Sequence, residues 1–207
     1  MLELLRQYVS GYVALTNEEF TLLAERIVVR TFDRRVQLLA VGEREEYMNF
    51  VVKGLVRMYF HRGKTEVITN IAKEGELISS SSSFLSGMPS HYFVETLEPA
   101  TLLSITRADL DEIYRQSVLI ERLGRLMTTQ FVMQKEEWEH ECMRLDTRER
   151  FTRFVEKNPD LVSRVPQKYL ASYLNMKPET FSRLKNLVKK RPAAVKSPSR
   201  TEFGSRN

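Results

Sequence analysis

The sequence predicts an α+β chain in three parts: an N-terminal antiparallel β-roll, a long dimerisation helix and a C-terminal helix-turn-helix. Three observations carry this. Between residues 27 and 105, short runs rich in β-branched residues recur at close spacing, the pattern of a small antiparallel barrel or roll. From Asp109 to Leu145 there is no proline and one glycine, and apolar residues recur at steps of three and four. In the last third, a small residue, a turn-former and apolar residues at fixed offsets coincide with concentrated positive charge. The expected boundaries are 1–108 for the roll, 109–145 for the helix and 146–191 for the helix-turn-helix, with 192–207 as a disordered tail.

Composition narrows the function classes. Of 207 residues, 42% are hydrophobic and 29% charged, enough apolar material for a sizeable core. No apolar run approaches the roughly 18 residues of a membrane span, and Met1 to Arg6 lacks the basic start and apolar stretch of a signal peptide. The single cysteine, Cys142, excludes an internal disulfide and a cysteine-held cluster, so a reducing cytoplasm is expected. Net charge is +5, but residues 147–207 hold 15 Lys and Arg against 5 Asp and Glu, while residues 1–146 hold 17 against 22. Basic charge confined to the C-terminal third implies a polyanionic partner there.

Thr16-Asn17-Glu18-Glu19 fits a capping box and predicts a helix from Asn17 to about Arg26. Strands are expected over 27–32, 36–41, 47–52, 54–60, 66–72, 92–98 and 101–105, with a hairpin turn at His61-Arg62-Gly63-Lys64. The helix from Asp109 carries Leu123, Met127, Phe131, Gln134, Trp138, Cys142 and Leu145 at helical spacing. A stripe this long exceeds what one small roll covers, so Leu123, Met127, Phe131, Gln134 and Trp138 are assigned to a dimer seam. Packing on the chain's own roll is the alternative. Asp146-Thr147-Arg148 marks a break, and a basic helix follows over about 148–156. After the Asn158-Pro159 turn, two further helices are expected.

Pro166 suits the first turn of the first of these, where its missing N–H costs nothing. Leu170 and Leu174 face inward, Ala171 lets a second helix cross closely, and Asn175 tolerates the left-handed conformation of the turn. Met176 plugs the turn, Pro178 starts the second helix, and Phe181 and Leu184 point inward. Glu179, Thr180, Ser182, Arg183 and Lys185 are expected to face outward as a reading surface, with Gln167, Lys168 and Lys189 beside it. A generic helical hairpin is the competing reading; the basic surroundings favour DNA.

The chain resembles the Crp/Fnr superfamily of bacterial regulators over about residues 10 to 190. Val52-Lys53-Gly54-Leu55-Val56-Arg57 looks like that family's strand-turn-strand. Pro178-Glu179-Thr180-Phe181-Ser182-Arg183 resembles its recognition-helix motif, and the segment from Val165 to Leu174 resembles the version in Bacteroidetes-type members. The resemblance implies a cyclic nucleotide-binding-like jelly roll, a homodimer, double-stranded DNA as partner and a contact with RNA polymerase. Members that bind cyclic nucleotides use a Glu for a ribose hydroxyl and an Arg for the phosphate. Aligning Phe84 and Gly87 with the family places Ser80 and Ser90 at those positions, and losing the Arg removes the fixed countercharge. Cyclic AMP is therefore not expected as effector, no cofactor is assigned, and the effector is left open. Ser79, Ser80, Ser81, Ser90 and His91 are the candidate pocket residues, although five consecutive serines read more readily as a flexible surface loop.

Other chemistry is set aside. His61, His91 and His140 lack metal-ligand spacing, Cys142 on an apolar face reads as core, and no nucleophile motif, P-loop or dinucleotide fingerprint is present. An enzyme is not expected. Thr201 to Asn207 is assigned no role. The competing function is a ligand-binding module whose helical end contacts protein, which would require exposed apolar residues between Glu179 and Lys185.

Overall fold

The computed structural model describes residues 1–189. Two four-stranded antiparallel sheets make the roll. One runs in the order β1 (Val28–Phe32), β8 (Ala100–Thr106), β3 (Tyr47–Lys53), β6 (Leu77–Ile78). The other runs β2 (Gln37–Leu39), β7 (Phe93–Thr96), β4 (Val56–Arg62), β5 (Thr65–Ala72). All seven expected strands form; the two-residue β6 was not foreseen. Strand alternation explains why β8 carries buried leucines on both faces. Leu102 points between the sheets onto Val51 and Val94, while Leu103 and Ile105 join a second cluster under the helices. The β4–β5 hairpin closes at Gly63-Lys64 with Arg62 opposite Thr65, as expected. Gly54 turns the chain from β3 to β4 at φ +91°, and a Cβ there would lie 2.3 Å from the Pro99 carbonyl oxygen, so glycine is required.

Helices cover the outer face of the β3–β8 sheet. α1 (Leu2–Ser10) buries Leu5 and Val9. α2 (Asn17–Ala24) carries the predicted capping box, with Glu19 N–H donating to Thr16 Oγ1 at 3.2 Å. α3 (Ser81–Ser86) lies in the serine run. The single helix expected from Asp109 is two: α4 (Arg107–Gln116) and α5 (Val118–Arg144). Ser117 is extended there, accepts from Ile120 N–H and donates to Glu19 of α2, so it caps a new helix instead of continuing the old one. At 27 residues, α5 is about 40 Å long.

Past the Asp146 cap come α6 (Thr147–Lys157), α7 (Pro159–Arg164), α8 (Gln167–Tyr173) and α9 (Pro178–Lys189). α7 is an unforeseen third helix after the break at Asn158. Their core, which includes Phe151, Phe154, Leu170 and Phe181, is continuous with Leu55, Tyr59, Ile68 and Leu97 of the roll. α8 lies along β5, an edge strand of its sheet. Ser172 Oγ accepts from Ile68 N–H at 3.0 Å and donates to the Glu66 carbonyl at 3.1 Å, which satisfies backbone groups an edge strand leaves open.

Charge clamps the same contact. Arg164 of α7 grips Glu74 with two nitrogens, each at 2.8 Å, and Glu98 at 2.7 and 3.2 Å; Lys73 holds both oxygens of Asp160. Bidentate pairs of this kind are the strong class of charged hydrogen bond. The Arg164 guanidinium lowers the Glu74 carboxyl from its ordinary 4.5 to about 2. A carboxyl whose folded-state pKa is depressed stabilises the fold above its ordinary pKa, and that contribution is lost as pH falls towards the lowered value. The clamp should therefore hold above pH 4.5 and fail between there and about 2. Glu74 and Arg164 are each about a third exposed, so the effect is screened. Arg164→Met should unfold at higher pH than the parent in an acid titration followed by circular dichroism. Coincident titrations would show that the clamp contributes nothing.

Candidate nucleic-acid interface and ligand pocket

The helix-turn-helix is built as the residues dictate. Asn175 adopts φ +51°, and Met176 N–H donates to the Ala171 carbonyl at 2.9 Å, closing the turn. Ala171, Leu170 and Leu174 are fully buried, and Phe181 sits edge-to-face on Phe151 at 5.1 Å. With Phe181 and Leu184 fixed inward, the opposite face of α9 is directed to solvent. Glu179, Ser182 and Arg183 are exposed there, with Pro178, Asn186 and Leu187, and Gln167 of α8 borders the same shallow depression. Glu179 and Arg183 stand one helical turn apart.

Not every expected reading residue shares this stripe. Thr180 is half-buried. Lys185 turns away: its Nζ donates to the Val162 carbonyl at 3.3 Å, near the C-terminal end of α7, where a cation meets the helix dipole favourably. The expectation that Lys185 faces outward is corrected on that ground. Lys168 is exposed beside Gln167, with its ammonium 4.7 Å from the Tyr169 ring centre. Lys189 ends α9, while Lys190 and the expected tail at 192–207 lie outside the described residues. Asn186, missed from the sequence, follows Glu179 by seven residues and could have been found by extending the period.

The expected seam on α5 is largely occupied by its own chain. Leu123 is 3% exposed and packs with Met127 in the cluster on the roll, and Trp138 stacks on Tyr173 of α8 at 4.9 Å and 14°. Only Phe131 and Gln134 of the five are exposed. The apolar residues that α5 offers to solvent include Val118, Val132, Met133 and Met143, on other faces.

The serine run is a folded, hydrogen-bonded segment, which corrects the reading of a flexible surface loop. Ser79, Ser80 and Ser83 are buried. Glu45 explains this, since its carboxylate accepts from Ser80 N–H and its own N–H donates to Ser83 Oγ. Burial raises the Glu45 carboxyl above its ordinary value. Ser80 and Ser90, each 1% exposed, lie with their hydroxyl oxygens 2.9 Å apart, and Ser90 also accepts from Tyr92 N–H. The structure thus brings Ser80 and Ser90 together and satisfies each with the other. Ser79 and Ser81 line an adjoining apolar cavity, and His91 is exposed.

A cyclic phosphate at this position would displace a satisfied hydroxyl pair, and no Arg or Lys among the described residues hydrogen-bonds to either serine. An unpaired buried anion is costly. Calorimetry with cyclic AMP should give no binding heat at micromolar ligand; a micromolar dissociation constant would overturn this.

Comparison with known proteins bears on both regions. Residues 29–117 match the family model of the cyclic nucleotide-binding domain. Among solved structures, FixK2 from Bradyrhizobium japonicum is similar at 19% identity and a TM-score of 0.69, covering 79% of this chain and 84% of that one. The c-di-GMP responsive global regulator CLP from Xanthomonas campestris is similar at 14% identity and a TM-score of 0.64, covering 84% and 92%. The catabolite activator protein of Thermus thermophilus is similar at 19% identity and 0.55, covering 90% of each chain. No curated protein sequence matches this chain.

Proposed function

We propose that this chain, which has the Crp/Fnr fold with a cyclic nucleotide-binding-type domain at residues 29–117, is a transcriptional regulator that binds double-stranded DNA as a homodimer in the cytoplasm. The observation that carries the reading is the exposed polar stripe of α9, held clear of the core by Phe181 and Leu184. A helix presented this way fits the major groove. No helix among the described residues is long and apolar enough to cross a membrane. Contact with RNA polymerase follows from the resemblance alone. Cyclic AMP is not expected as an effector, and no other is assigned.

The dimer contact is assigned to α5. Phe131 and Gln134 remain accessible from the expected seam. Leu123 and Trp138 support the seam from within by fixing the helix on its own chain. The second reading, a module acting through protein contacts, is supported by Leu187, which is 52% exposed at the edge of the stripe.

Selection from random DNA with the full chain, together with sedimentation, separates the two. The expected results are a particle of twice 24.2 kDa and an inverted repeat whose half-site centres lie about 10 base pairs apart. Absence of any enriched sequence would count for the protein-contact reading, and a monomer bound to a single half-site would remove the dimer.

A further inference from the structure

The roll also holds a cavity whose lining includes Ser79 and Ser81, the neighbours of Ser80. This cavity, of about 160 Å³, lies where α1, α4 and α5 cross the outer face of the β3–β8 sheet. Its walls include Leu5, Phe50, Leu103, Ile105 and Ile120, all buried. Protein interiors are packed to nearly crystalline density and hold few voids larger than a water. A hydrocarbon-lined void of about 150 Å³ stays dry and takes up benzene. No charged side chain lines this cavity. An ionised guest would stand there unpaired, which excludes nucleotides and carboxylates.

Polar side chains also reach the cavity, Ser79 and Tyr114 among them. Ser79 is 6% exposed, and its hydroxyl donates to the Met48 sulfur at 3.3 Å, a weak acceptor that leaves the group free for a better one. Tyr114 of α4 lies against Gly124 of α5, where a Cβ would come within 2.0 Å of the phenol oxygen. Glycine at that point lets the phenol lie against α5 as part of the wall, and burial raises its pKa to about 12, so it stays a neutral donor. Leu85 and Phe131 line the cavity and are also exposed, which places its mouth between α3 and α5.

We infer that this cavity binds a small, uncharged, largely apolar molecule about the size of a substituted benzene ring, held by a hydrogen bond to the Ser79 or Tyr114 hydroxyl. Leu123 and Met127 of α5 form part of the wall, so occupancy fixes α5, from whose end α6 to α9 continue. That regulatory consequence rests on the DNA-binding reading; the binding site does not.

The test uses the full chain without DNA and p-cresol as the probe, with 4-methylbenzoate as a charged control of similar shape. A ligand that binds only the folded state raises the unfolding temperature in proportion to occupancy. p-Cresol should raise it and saturate, and 4-methylbenzoate should not. Met127→Trp and Leu110→Phe fill the cavity from separate helices. Each should abolish the p-cresol response while retaining one cooperative unfolding transition, and if one fails to fold the other decides. No shift with the parent chain, an equal shift with the benzoate, or an unchanged response in a folded filled variant would each overturn the assignment. Because no DNA is present, its failure is separable from failure to bind an operator.

Discussion

Phe181→Ala is expected to cost about 3–5 kcal/mol of stability, the range for truncating a buried phenylalanine. The side chain is fully buried and meets Phe151, itself 1% exposed, edge-to-face at 5.1 Å. The aromatic pair adds to the area lost from burial. What makes the effect large is where this core leads. The cluster holding Phe181 runs without interruption into Leu55, Tyr59 and Ile68 of the roll. A cavity at Phe181 therefore loosens both the α8–α9 turn and the seat of α8 on β5. Urea unfolding should show a single transition for the parent and a lowered midpoint for the variant. Ser182→Ala, exposed on the opposite face of the same helix, should stay within about 0.5 kcal/mol. If Phe181→Ala cost no more than Ser182→Ala, the packing described for the helix-turn-helix would be wrong.

The parts legible in the sequence are those set by neighbours along the chain. Thr16 and Glu19 form their capping box within one turn, and Asn175 takes the left-handed conformation because the turn at that point requires it. Leu170, Leu174, Phe181 and Leu184 face inward because their spacing leaves no other common face. The misses have equally definite causes. α1 has no side-chain cap, so only the four-residue step from Leu5 to Val9 marked it. α7 is six residues long, too short for a period to register. Ser117 lacks a Glu or Gln three residues later, so nothing local announced that it starts a helix; its partner Glu19 is 98 residues away. The stripe on α5 was read correctly as apolar, but periodicity does not say what covers a face. Leu123 and Trp138 are covered by their own chain. The Ser80–Ser90 bond and the cavity under α5 depend on contacts between distant elements, and no spacing encodes those.

Arg183→Ala should cost roughly 1–3 kcal/mol of operator affinity and relax base preference at one position in each half-site. Arg183 is exposed, and no ion pair among the described residues engages it, unlike Arg57, Arg153 and Arg164. An exposed guanidinium can pair bidentately with guanine O6 and N7. Glu179, one turn earlier on the same face, can accept from cytosine N4, so the two should read neighbouring bases. Pro178 has no side-chain donor or acceptor, so position 178 should make no side-chain hydrogen bond to a base. Lys168→Ala offers the contrast. Lys168 is exposed on α8 beside the stripe, and a phosphate contact there positions the protein without reading sequence. Its loss should weaken operator and random DNA alike and flatten the salt dependence of both. Titrations of each variant against the selected operator and a scrambled duplex, at several salt concentrations, separate the two roles. If Arg183→Ala weakened both duplexes equally, Arg183 would be a phosphate contact and α9 would lie in the groove in a different orientation.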